Sequence, residues 1–308
     1  MLTTPMDVLQ RYPVRKSKKQ KQAFRDAVQA YAASLGYEST VEKGSFSSRN
    51  LVIGNPETAK YLITAHYDTP AKLPFPNFLT PCNLLMYILY QLFVLLVILI
   101  PTFAAGFLFS FLPDARGFSA TAAMTVYWGL FLLMLVGPAN RNNANDNTSG
   151  VVTLLEIARS LPENQRSKVC FVLFDLEEAG LIGSASYRKA HIKETDHQLI
   201  VNLDCVGDGD HILLFPTKKL KKDTKKLEPL YKCCGYFGAK SVLVRDKGTS
   251  IYPSDQKNFP YGVGVAAFHK GKAGLYLSRI HTSKDTILEE TNVNILRAAI
   301  VSMVTAAQ

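Results

Sequence analysis

Two long stretches interrupt the pattern of hydrophobic and polar positions along this chain. From Leu73 to Pro113, and again from Gly117 to Asn140, no charged residue occurs. The first contains "NLLMYILYQLFVLLVILIPTFAAGFLFSFL" and the second "SATAAMTVYWGLFLLMLVG". About 20 residues, at ~1.5 Å rise each, cross a bilayer core, so each stretch is long enough for one helical span. "PDARGF" between them is a polar turn with Pro and Gly, which predicts an out-and-back helical hairpin inserted over 73–137, with Pro101 a kink point in its first arm. The alternative is a buried lid or dimer contact in a soluble protein, although runs this long and uncharged are unusual in soluble cores.

Elsewhere the pattern has shorter periods. "KQKQAFRDAVQAYAASLGY" places apolar residues at helical spacing and stops at Gly36, while "SGVVTLLEIARSL" and "VNILRAAIVSMVTAAQ" read as amphipathic helices. Between them lie β-type runs: "NLVIG", "KYLITAHYD", "KVCFVLFDLEE", "QLIVNLDCV", "HILLFP", "SVLVRD", "GVGVAAFHK" and "GLYLSRIHT". Several are continuously apolar, as expected of strands covered on both faces by helices. The pattern predicts an α/β fold with a mixed, largely parallel central sheet flanked by helices. Residues 1–72 and 138–308 would form this one discontinuous domain, interrupted by the hairpin.

At 308 residues the chain can bury a substantial core, and its formal net charge of +10 suits an anionic partner. The basic runs "RKSKKQK" (Arg15 to Lys21) and "KKLKKDTKK" (Lys218 to Lys226) read as solvated faces or as contacts to a membrane surface. No aromatic-interleaved basic motif accompanies them, so nucleic acid is not an expected partner. The five cysteines are odd in number and lack CxxC spacing, which points to reduced thiols in the cytoplasm. The N-terminus has no apolar export segment. Two crossings then return the chain to its starting side, so both flanks are expected in the cytoplasm, in agreement with Lys72 and Arg141 at the hairpin ends.

Chemistry collects at the ends of the strand runs: His66 and Asp68, Glu177 and Glu178, Asp204, and His281. In an open α/β sheet the carboxyl ends of the strands line the ligand crevice. Asp146, ahead of "NTSG", stands at a helix start facing the same rim; taken alone it is a ready helix cap. Together, two His and several carboxylates form the N/O donor set that suits zinc, with enough carboxylates for two ions sharing a bridge. In the adjacent Glu pair, one carboxylate can bind metal and leave its neighbour free as a base.

The series "HYDTP", "NANDNTSGVVTLLEIAR", "FVLFDLEEAGLIGSASY", "NLDCVG" and "HTSKDT" resembles the co-catalytic di-zinc exopeptidases, the family of bacterial leucyl aminopeptidase, aminopeptidase Y, glutamate carboxypeptidase and glutaminyl cyclase. The resemblance covers the chain except the hairpin. It implies two zinc ions bridged by Asp146, with His66 and Asp204 completing one site and Glu178 and His281 the other. It further implies that Asp68 orients His66 and that Glu177 is the general base, so both would be catalytic. "YPSDQKNFPYGVGV" departs from the family, which often has His where Gln256 stands; nearby Tyr252 is either an oxyanion partner or an ordinary loop aromatic.

The resemblance thus implies a zinc aminopeptidase with a peptide substrate, and the two uncharged stretches add a membrane anchor. The lipid bilayer is its second partner, through the 73–137 hairpin, and a homo-oligomer of paired hairpins stays open. Dipeptidase or carboxypeptidase, glutaminyl cyclase and a non-catalytic receptor are the alternatives, in falling order.

Overall fold

The computed structural model describes residues 2–111 and 115–306. Its strands are β1 (Ser39–Lys43), β2 (Arg49–Ile53), β3 (Tyr61–His66), β4 (Val169–Phe174), β5 (Leu199–Leu203), β6 (His211–Pro216), β7 (Gly235–Phe237), β8 (Lys240–Val244), β9 (Gly262–Gly271) and β10 (Gly274–Tyr276). They form one 10-stranded sheet in the order β1-β2-β4-β3-β5-β9-β6-β8-β7, with β10 paired to β9. The centre, β4-β3-β5-β9, is parallel, and antiparallel pairs flank it. Every residue of β3, β4 and β5 is buried, which is why these runs carry no polar alternation. The edge strands β1 and β7 are largely exposed, β1 polar and β7 only three residues long, and no apolar run announces them.

The helices are α1 (Asp7–Arg11), α2 (Lys18–Ser34), α3 (Leu84–Phe109), α4 (Ala115–Val136), α5 (Gly150–Ser160), α6 (Ile182–Ala190), α7 (Ile192–Thr195), α8 (Thr224–Lys232) and α9 (Glu290–Thr305). On one face of the sheet, Leu51, Ile53, Ile63 and Leu173 pack with Phe24 and Val28 of α2, Leu154 of α5 and Leu296 of α9. On the other, Val52, Leu62 and Val172 pack with Tyr187 of α6 and Phe259. The mixed α/β architecture expected from the pattern is the one observed.

Three local expectations need correction. β4 stops at Phe174, so Glu177 and Glu178 lie in the turn beyond it and not at the strand end. β10 stops at Tyr276 because Leu277 leaves the ladder to bridge Leu79, which puts His281 on a loop at φ 60. Third, the basic run near the N-terminus is not simply a solvated face. Arg15 is fully buried, its guanidinium donating to the carbonyls of Tyr67 and Tyr12, and Lys21 is buried against Asp175 at 2.5 Å.

The two uncharged stretches become α3 and α4, packed antiparallel through small residues: a Cβ on Gly106 would stand 3.3 Å from that of Ala123, and Ser119 Oγ donates to the Gly106 carbonyl at 2.6 Å. α3 runs through Pro101 as one helix. Residues 112–114, which include the start of the "PDARGF" turn, lie outside the described residues. Only 6% and 0% of the most apolar windows of the two helices are buried, so the chain itself does not cover them as a lid would be covered. Residues 73–83 are not helical. They lie along the sheet domain, where Phe78 meets Tyr276 at 5.4 Å between ring centroids and Asn83 both caps α3 and donates to the Ala273 carbonyl.

Candidate metal centre

His66 is the last residue of β3, and Asp204 directly follows β5, the parallel neighbour of β3. The core that aligns these strands therefore brings the two side chains together. Behind them, Asn147 ties the layers: its amide donates to the Leu203 carbonyl at 2.9 Å, and its oxygen accepts from Gly150 N at 3.0 Å. A Cβ on Gly150 would lie 2.3 Å from the Leu203 carbonyl oxygen, so only glycine lets α5 start this close to β5. Asn147 is thus the residue that caps α5, and Asp146 is released from the capping role its position suggested.

Asp146 instead sits between the two histidines. His66 Nε2 is 3.3 Å from Asp146 Oδ1 and 3.6 Å from Asp204 Oδ1, while His281 Nε2 is 3.0 Å from Asp146 Oδ2 and 3.6 Å from Glu178 Oε2. The donor atoms of His66, Asp146 and Asp204 lie within 4.8 Å of one another, as do those of Asp146, Glu178 and His281. Glu177 joins His66 and Glu178 in a third such group. Asp68 Oδ1 is 3.5 Å from His66 Nδ1, and the same carboxylate accepts the backbone N–H groups of Glu177 at 3.1 Å and Glu178 at 3.3 Å. One carboxylate therefore steers the imidazole on one side and holds the Glu pair on the other.

The loop carrying His281 is laced to the hairpin stem. Leu73 N donates to the His281 carbonyl at 2.9 Å, Asn140 Nδ2 to the Thr282 carbonyl at 3.0 Å, and Asn142 Nδ2 to the Ser283 carbonyl at 2.6 Å. Asp285, buried, accepts Asn145 N at 2.7 Å and Asp146 N at 3.0 Å. Asp285 was not singled out by sequence reasoning, although it stands four residues after His281 within "HTSKDT".

Electrostatics test whether a metal suits this donor set. Two imidazoles meet Asp68, Asp146, Glu177, Glu178 and Asp204. Burial would raise Asp146, but the His281 and His66 contacts outweigh it and hold its carboxyl below the usual range. Burial would lower His66, yet the Glu177 charge and the Asp146 and Asp204 contacts pull it well above normal. Glu177 and Glu178 are raised by burial and by neighbouring carboxylates, Asp146 foremost for Glu178. Negative charge is in excess, and buried Glu178 Oε1 lacks a hydrogen-bond partner. Divalent cations would relieve both conditions, so the residues fit zinc.

The departure from the family pattern lies deeper than the rim. Gln256 is buried, accepting from Asn202 and donating to the Tyr252 carbonyl, and Tyr252 packs on Phe215 while its hydroxyl donates to the Asp204 carbonyl at 3.0 Å. Both are internal supports, which removes Tyr252 as an oxyanion partner. Beside them Asp255, also missed, is buried, bonded to Ser184 and raised to about 7 by burial.

The sequence model of peptidase family M28 matches residues 128–304, more than half of the chain. The chain belongs to peptidase family M28. The match begins inside α4 and takes in Asp146, Glu177, Glu178, Asp204 and His281, while His66 and Asp68 precede it. No curated protein matches the chain. Among solved structures, the fold resembles a zinc-dependent exopeptidase from Parabacteroides distasonis at 15% identity and TM-score 0.59, covering 95% of this chain and 92% of that one. It also resembles a Porphyromonas gingivalis glutaminyl cyclase at 16% identity and TM-score 0.58, covering 99% and 98%. A third likeness is to the LapA aminopeptidase of Legionella pneumophila, at 15% identity and TM-score 0.56, covering 99% and 72%. At such identities these likenesses show the fold, which for this M28 chain is that of the zinc exopeptidases.

Proposed function

We propose that this M28 chain is a zinc aminopeptidase held in a membrane by α3 and α4. The observation that carries the enzyme reading is Asp146, whose two carboxylate oxygens each face a different histidine. In this reading His66 and Asp204 would hold one zinc ion, Glu178 and His281 a second, and Asp146 would serve both. Bound zinc supplies Lewis-acid polarisation of the scissile carbonyl and a lowered pKa for the attacking water. Glu177 would be the general base, accepting a proton from the attacking water at its carboxylate and returning it to the leaving amine. Asp68 keeps His66 oriented through Nδ1 and fixes the backbone from which Glu177 projects.

The aminopeptidase reading takes the free amine of the substrate as a further donor at one of the two metal positions, which would limit cleavage to the first residue. Anchorage is supported by the length, composition and bare faces of α3 and α4. The test is an activity screen of the full chain in detergent on amino-acid p-nitroanilides, dipeptides, N-blocked peptides and peptides starting with Gln, with zinc and with chelator. Chelator-sensitive release from free-amine substrates alone is expected. Cleavage of N-blocked peptides would move the reading to carboxypeptidase, and ammonia release from the Gln peptides to glutaminyl cyclase. Protein without zinc and without activity would sink it. Full chain that stays in the supernatant without detergent would remove the anchor.

A further inference from the structure

The loop 44–48 joins β1 to β2 beyond the carboxyl ends of the parallel strands, since β2 runs antiparallel to β4 and Arg49 N donates to Asp175 just past the end of β4. It therefore stands at the same end of the sheet as the metal centre and the hairpin stem. Its tip, Phe46, is 84% exposed at φ 52, in the left-handed region that a bulky side chain rarely occupies. The loop around it is pinned: Gly44 N donates to the Ser48 carbonyl, Ser48 N to the Ser45 carbonyl, and Ser45 N to Ser186 Oγ. An aromatic ring is thus held rigidly in solvent without packing.

Basic residues connect this ring to the hairpin. Lys16 Nζ is 3.5 Å from the Leu135 carbonyl in the last turn of α4. Lys18 follows at the start of α2 and lines, with Ser47 and Arg49, a cleft of about 210 Å³. Lys18, Lys19, Lys43 and Arg49 are exposed. The acidic side chain of that cleft, Asp175, is buried and already paired with Lys21. A row of cations with a protruding aromatic beside a span is the chemistry of contact with anionic lipid headgroups.

We propose that this rim docks on an anionic bilayer leaflet, with Phe46 entering the headgroup layer and Lys16, Lys18, Lys19, Lys43 and Arg49 among lipid phosphates. The proposal rests on the membrane reading of α3 and α4. It adds a second contact that fixes the tilt of the sheet domain over the leaflet, which one hairpin leaves free.

The chain has a single tryptophan, Trp128, within α4, which supplies the control. The native chain and a Trp128→Phe/Phe46→Trp variant are placed in lipid nanodiscs of phosphatidylglycerol or phosphatidylcholine, each with and without brominated acyl chains. Expected are quenching of Trp128 in both lipids, and quenching with a blue shift for the residue-46 indole in the anionic discs. Adding Lys16→Gln, Lys18→Gln and Lys19→Gln should return that indole to solvent-like emission, since three cations at roughly fivefold each weaken docking by about a hundredfold. A residue-46 indole unquenched in anionic discs while Trp128 is quenched overturns the docking and leaves the hairpin reading standing. Unquenched Trp128 overturns the hairpin reading itself. Equal quenching of the residue-46 indole in the two lipids, unaffected by the Lys variants, overturns the electrostatic contact.

Discussion

His66 and Asp204 stand at the ends of paired parallel strands with side chains 1% and 9% exposed, whereas Glu178 and His281 sit on loops, their side chains 14% and 23% exposed. The first pair inherits its geometry from the sheet, because strand register and a close-packed core leave those side chains little freedom. The second pair is placed by loop hydrogen bonds, several of them from the stem of an inserted hairpin. One half of the centre is thus as rigid as the fold; in the other, Glu178 is held through Asp68 and His281 is only as rigid as its loop's bonds to the stem. Asp146 belongs to both halves.

The comparison can be broken most severely at that shared residue. Asp146→Ala should lose both zinc equivalents by metal analysis and bring peptidase activity to background; retention of one equivalent would mean that the halves do not share a bridge. Glu177→Gln should lower turnover by roughly 10²–10⁴-fold at unchanged zinc content, because it removes a base and not an assigned ligand. Loss of zinc there would make Glu177 a ligand.

The loop half can then be weakened alone. Asn140→Ala with Asn142→Ala should loosen one zinc by about tenfold and leave the other tight, in a competitive chelator titration, as supports behind metal ligands typically do. Equal loosening of both ions would erase the distinction. The smallest effect lies away from both halves, at His191 Nε2, 3.0 Å from Glu42. Its pKa is raised, first by that hydrogen bond, so the pair's stabilisation is fully present below the unfolded value near 6.5 and is lost as pH rises through the folded value. His191→Gln should therefore cost about 0.5 kcal/mol at pH 6 and nothing at pH 9 in thermal unfolding, with zinc content constant.

The legible and illegible parts of the chain divide along the same line. Apolar runs announced β3, β4 and β5, and chemistry-bearing residues just after such runs announced His66 and Asp204, because strand burial writes itself into local composition. The Glu pair and His281 were legible as a motif series, but their loop setting was not, since a run such as "GLYLSRIHT" does not reveal where Leu277 turns to Leu79. Arg15 and Lys21 were hidden inside a basic run because their partners, Tyr67 and Asp175, are remote in sequence. Asp285 was hidden for the same reason. Its partners are the backbone N–H groups of Asn145 and Asp146, and a peptide N–H carries no signature in the sequence.

The place of the hairpin in the chain also imposes a timetable on biosynthesis. His66 is translated before α3 and α4, and Asp146 after them. With the helices read as bilayer spans, His66 and Asp146 can meet only after both arms have crossed, because a single crossing would leave them on opposite faces of the bilayer. The centre then assembles only once the hairpin is complete.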